Sequence, residues 1–126
     1  MTVNEGSAAL VAVAESIVQG LVDADVKWDS VTVVVNLDRQ KSMFGYIYSD
    51  DGKWNADVPL DMEVLTRAID LRTAMSAPKK KDWKVCCIQM RRSDMSVDVD
   101  FEYKNSRRWQ ITPANLESKI EELRPR

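Results

Sequence analysis

Met95-Ser96-Val97-Asp98-Val99-Asp100-Phe101-Glu102-Tyr103 is the stretch on which the fold turns. Its apolar residues (Met95, Val97, Val99, Phe101, Tyr103) alternate without a break with Ser96, Asp98, Asp100 and Glu102. Successive side chains of a strand point to opposite faces, so this run predicts a strand of an antiparallel sheet, one face on a core and the other in water.

Upstream, Arg91-Arg92-Ser93-Asp94 reads as a turn, and the run WKVCCIQM that begins at Trp83 reads as the preceding strand. Strands joined so closely are antiparallel. Farther back, Val31 to Val35 are β-branched without interruption inside a strand running from Trp28 to Leu37, which is expected to be central because both its faces are apolar. Asp38 to Lys41 turns the chain into a second strand from Met43 to Ser49, and Asp50-Asp51-Gly52-Lys53 is a tight-turn signal, because Asp-Gly accepts positive φ. Trp54 to Val58 is a short third strand candidate, and Arg108 to Ile111 a last edge strand candidate.

The helices show a different period. Leu10, Val13, Ala14, Ile17, Val18 and Leu21 recur every three or four residues, which predicts a helix from about Ser7 to Asp25 capped by Asn4, with Gly20 lowering its propensity. Asp61 is placed to cap a helix reaching Met75, with Leu65, Ala68, Ile69 and Leu71 on its buried side. Thr112-Pro113 places proline at the first position of a C-terminal helix ending near Leu123. The expected order is α-β-β-(β)-α-β-β-(β)-α, an α+β fold. Its antiparallel sheet has four to six strands with helices packed on one face, in a single domain spanning residues 1–126.

Composition narrows the function. With 44% hydrophobic and 30% charged residues the balance is that of a globular domain. A net charge of −2 does not fit direct nucleic-acid binding, which needs a basic stripe, and Lys79-Lys80-Lys81 is too short to supply one. The N-terminal MTVNEGSAALVAVAES lacks a basic leader, and no apolar run is long enough to span a bilayer, so no membrane partner and a cytoplasmic location are expected. The only two cysteines, Cys86 and Cys87, are adjacent and face opposite sides of a strand, which suits a reducing compartment. There is no histidine and no Gly-rich phosphate loop, so triad chemistry, a zinc site of the usual kind and nucleotide cofactors find no residues to build on. The expectation is a binding protein with no catalytic residues, no metal and no cofactor.

Two groups are candidates for contacting a partner. Asp98, Asp100 and Glu102 line one face of the alternating strand with Asp94 beside them, giving a local negative field that would complement a basic cleft, though such a row also serves to keep a sheet face wet. Tyr46, Tyr48 and Trp54 flank the Asp-Gly turn and are residue types favoured as interface anchors, with core packing as the competing role. Trp28, Trp83 and Trp109 are expected in half-buried core positions.

The layout resembles a known family. A leading amphipathic helix precedes strands ending in FGYIYSDDGKW (44–54); a helix containing LTRAIDLR (65–72), the pair KDWKVCCIQMRRSDMSVDVDFEY (81–103) and a late RRW (107–109) follow. This is similar to the YezG-like bacterial immunity and antitoxin proteins, including those of contact-dependent growth inhibition. It departs at Tyr103-Lys104-Asn105, where a more acidic continuation is expected. The resemblance implies a monomer that binds a cognate toxin domain, commonly a basic nuclease, as a 1:1 heterodimer and occludes its active site or substrate surface. Asp98, Asp100 and Glu102 would supply charge, with Tyr46, Tyr48 and Trp54 as anchors. The alternative is a small acidic secretion chaperone of the type III kind, which would be a free dimer wrapping an extended effector segment.

Overall fold

A computed structural model of the chain describes residues 5–125. Three helices and five strands follow in the order α1 (Glu5–Asp23), β1 (Ser30–Asn36), β2 (Ser42–Tyr48), β3 (Trp54–Asn55), α2 (Met62–Met75), β4 (Val85–Arg91), β5 (Ser96–Glu102) and α3 (Leu116–Glu122). The strands form one antiparallel sheet ordered β3-β2-β1-β4-β5, an α+β architecture. The β-branched strand β1 is central, as its sequence requires, and β3 and β5 are the two edges. The expected Asn4 cap lies outside the described residues.

Local signals explain where the elements stop. Asp61 caps α2 by accepting from the backbone N–H groups of Glu63 (3.1 Å) and Val64 (3.3 Å). Helix α1 ends with Asp25 in the left-handed region (φ 54°), Asp25 N–H donating to Val22 O and Val26 N–H to Leu21 O, the paired bonds of a Schellman ending. Gly52 takes φ 89° in the β2–β3 turn, as Asp-Gly predicted.

Alternation divides the sheet into two faces. Val31, Val33 and Val35 of β1, Ile47 of β2, and Cys86, Ile88 and Met90 of β4 face α1 and α2 and build the larger core with Val13, Ile17, Leu21, Val64, Ala68 and Leu71. Each fully buried aliphatic side chain here stabilises the fold by roughly 1.5–3 kcal/mol. Gly20 is needed at this contact, because a Cβ there would come within 2.9 Å of Pro59 O.

Three expectations need correction. Residues 106–109 form a turn, with Arg108 N–H bonded to Asn105 O and Gln110 N–H to Arg107 O, so no edge strand forms from Arg108 to Ile111. Helix α3 begins at Leu116 rather than Pro113, because Asn115 folds back on Thr112 and closes a turn first (Asn115 N–H to Thr112 O, 3.1 Å; Thr112 N–H to Asn115 Oδ1, 2.8 Å). Finally, the helices do not share one face. α1 and α2 cover the first, whereas α3 crosses the second, where Ile120 and Leu123 pack with Val34, Tyr46, Tyr48, Val85, Cys87 and Trp109.

The sheet holds α3 by its unsatisfied carbonyls. The last carbonyls of a helix have no partner within it. Tyr48 OH donates to Ile120 O (2.7 Å), while Thr32 Oγ1 (2.5 Å) and Gln89 Nε2 (2.8 Å) both donate to Leu123 O. Thr32, fully buried, is satisfied in this way.

Candidate protein-binding surface

The two predicted groups of site residues lie at opposite edges of the sheet, Trp54 on β3 and the carboxylates on β5 or its hairpin turn, and so do not form one site. Tyr48 is 1% exposed, with its hydroxyl committed to Ile120 O and the Arg124 guanidinium 4.7 Å above its ring. It is a core residue of the α3 face, not an anchor. Tyr46 is also buried, and its ring meets Phe44 (6.0 Å) and Trp54 (5.6 Å) edge to face. Trp54 alone of the three is exposed. Trp28, Trp83 and Trp109 are all in the cores.

The carboxylates also divide. Asp94 stabilises the β4–β5 turn, accepting from Ser96 N–H (3.0 Å) and pairing with Arg91 (3.4 Å). The Ser96 hydroxyl and backbone N–H hold its carboxyl below the ordinary range. Glu102 accepts from the backbone N–H groups of Lys104 and Asn105, and these bonds, that of Asn105 first, lower it likewise. Both are therefore turn-forming residues. Arg108 reaches back over the row, bonding Asp100 at 2.8 Å and Glu102 at 3.4 Å, with its guanidinium 4.5 Å from the Trp109 ring centre. The row thus fastens the 104–111 segment over the second core, a role its spacing does not reveal. Asp98 makes no ion pair among the described residues, and Asp100 keeps its carboxylate more than half exposed.

The other side of β5 holds what the sequence reading missed. Val11 (54%), Met95 (56%) and Val97 (37%) are exposed around a groove of about 670 Å³ between α1 and the β4–β5 hairpin, lined also by Leu10, Ala14 and Met90. Met95 stands in the left-handed region (φ 51°) at the hairpin's end, a conformation costly for a non-glycine residue. The signal was present in α1, whose apolar residues extend past the buried stripe to Val11. Isolated exposed apolar residues are ordinary; a group around one groove marks an interaction surface.

The two thiols are sealed in opposite cores, and burial first, then the neighbouring Cys87 for Cys86 and Asp100 for Cys87, pushes each from 9.0 up to about 12. A thiol-specific reagent at about pH 8 is expected to leave both unmodified in the folded protein and to label both in denaturant; rapid labelling of the folded protein would contradict this. The linkage has a definite sign. Above about 9 the unfolded chain releases thiol protons that the native state retains, so stability falls between about pH 9 and 12 by at most ~1.4 kcal/mol per thiol per pH unit. Burial raises the Tyr48 phenol as well, so it acts in the same direction. Urea midpoints at the two ends of this window measure the loss.

Among the described residues no cluster of cysteines and carboxylates is arranged to hold a metal ion, and no helix is long and apolar enough to cross a membrane. The surface belongs to an α+β domain, on β5, which among the described residues is one of the sheet's two edges. No protein-family model matches the chain, and no curated protein matches it.

Proposed function

We propose that the chain is an immunity protein that binds and neutralises a cognate toxin domain in the cytoplasm, one copy to one, as the YezG-like proteins it resembles do. The observation that carries this reading is the β5 edge, which presents Asp98 and Asp100 on one face and Met95 and Val97 beside an apolar groove on the other. An apolar centre bordered by charge of one sign is a partner-binding arrangement. Its acidic face complements a basic cleft such as a nuclease offers its phosphate substrate. Buried neutral thiols, and the carboxyls of Asp94 and Glu102 held below their ordinary range, are poor groups for nucleophilic or proton-transfer chemistry, which favours binding over catalysis.

The test is growth. The reading frame immediately upstream is expected to encode a larger secreted protein whose C-terminal ~100–200 residues, one domain by size, arrest growth when expressed alone. Co-expression of this chain is expected to restore growth, and continued arrest would overturn the proposal. In vitro, Asp98→Lys with Asp100→Lys is expected to slow association with that domain about tenfold at low salt, with a smaller effect at high salt, because exposed charges act mainly on the encounter rate. An unchanged association rate would remove the carboxylates from the interface.

A further inference from the structure

We propose that β5 receives an extended segment of the partner as an added antiparallel or parallel strand, and that this segment alternates apolar residues with lysine or arginine. The inference rests on the reading above that the chain binds a protein.

The β1–β4–β5 ladder sets which backbone groups of β5 are open. Arg92 N–H donates to Asp29 O, so the alternation of an antiparallel pair turns Met90 and Ile88 toward β1, and Gln89 and Cys87 toward β5. Their partners on β5 are Asp98 and Asp100, whose amides therefore point inward, leaving the N–H and C=O groups of Val97 and Val99 directed at the open edge. Among the described residues no other strand lies beyond β5. Natural edges are commonly blunted by proline, by bulges, by short length or by charged side chains, and of these β5 has only the charges of Asp98, Asp100 and Glu102. β5 has seven residues, no proline and an unbroken register with β4 from Ser96 to Glu102.

The two faces specify the side chains. A strand added about 4.8 Å beyond β5 directs alternate residues to each side of the sheet. On the helix side they enter the groove formed by Leu10, Val11, Met95 and Val97, which calls for apolar residues. On the other side they lie beside Asp98, which makes no ion pair among the described residues, and beside Asp100, which Arg108 already pairs but which stays more than half exposed. A cation is therefore called for opposite Asp98 above all, since opposite charges directly across a strand pair are favourable and like charges unfavourable. The same carboxylates disfavour a second copy of this chain as the occupant in the registers that overlap the strand most fully. A two-fold antiparallel pairing of β5 with itself centred on Val99 sets Asp98 against Asp100 twice, and centred on Asp98 sets that residue against its own copy. Self-pairing is thus opposed by charge, while a basic strand is attracted by it.

The test uses two synthetic eight-residue peptides, one alternating lysine and valine and one alternating glutamate and valine, titrated into the full chain while amide exchange is followed residue by residue. The lysine peptide is expected to bind, to bind less tightly as salt is raised, and to slow exchange at Val97 and Val99. The glutamate peptide is expected not to bind. Val97→Pro removes an outward N–H that β4 does not use and is expected to reduce binding of the lysine peptide at least tenfold with the fold intact by circular dichroism. Should that variant unfold, Asp98→Lys decides instead, with the preference expected to move toward the glutamate peptide. Equal affinity for both peptides, protection elsewhere than β5, or no binding of the lysine peptide overturns strand addition. Rescue of growth without peptide binding would leave the immunity reading standing and refute this one, and peptide binding without rescue would do the reverse.

Discussion

Trp83→Ala is expected to remove about 3–5 kcal/mol of stability, the usual range for deleting a large buried aromatic side chain. Small domains have only about 5–15 kcal/mol in total, so the variant should be partly unfolded at room temperature or collapse at low urea. Trp83 is 1% exposed and its ring lies 5.4 Å from Phe101, which ties the beginning of the β4 segment to the end of β5. Its indole Nε1, however, is buried without a hydrogen-bond partner among the described residues. A buried donor left unsatisfied costs roughly 1–3 kcal/mol, so Trp83→Phe loses some packing but also removes this penalty. The phenylalanine variant is accordingly expected within about 1 kcal/mol of the parent, and the contrast between the two substitutions is the informative quantity. Urea unfolding monitored by circular dichroism measures both. Equal losses would mean that the indole N–H is partnered and contributes to stability. Because Phe101 is on the same face of β5 as Val97, the alanine variant should also speed amide exchange along β5 and weaken any partner held there.

Ile120→Ala is the second large effect, with an expected loss of about 2–5 kcal/mol and a different structural consequence. Ile120 is the one fully buried residue of α3, and it stands between Tyr48, Cys87 and Trp109 on the second face of the sheet. Alone, a helix of seven residues is too short to persist in water, so its order depends on this packing and on the three sheet side chains bonded to its terminal carbonyls. Shortening Ile120 should therefore detach α3 rather than unfold the larger core, exposing apolar surface to a hydrophobic dye and opening Cys87 to thiol reagents before Cys86. Tyr48→Phe, which removes the bond to Ile120 O and leaves that carbonyl buried, should reproduce the effect in part, at about 1–3 kcal/mol. If Cys86 and Cys87 became reactive together in Ile120→Ala, the two faces would be one cooperative unit and this assignment would fail.

The site was legible only in part, for reasons visible in single residues. Asp98 and Asp100 were found because strand periodicity exposes a face; Asp98 makes no ion pair among the described residues, whereas Asp100 is paired with Arg108 and keeps more than half of its side chain exposed. Asp94 and Glu102 share the same pattern, but their oxygens are taken up by backbone N–H groups of turns whose geometry no period reports. Tyr46 and Tyr48 were ambiguous because a sheet face reads as exposed until something is known to cover it, and what covers this one is a helix at the far end of the chain. The apolar groove was overlooked because Val11 and Val97 meet only in space.

Taken alone, the sequence determined what depends on neighbouring residues: the alternation of β5, the stripe of α1, the Asp61 cap, the Asp-Gly turn, and hence an antiparallel α+β domain. These follow from side-chain direction and short-range hydrogen bonding, which a local pattern encodes. Only the tertiary structure decided that β5 is an edge, that Arg108 binds its carboxylates and that α3 crosses the second face. The Thr32–Leu123 and Tyr48–Ile120 bonds join residues 91 and 72 positions apart, and contacts at such separation arise from packing the whole chain, with no period to announce them.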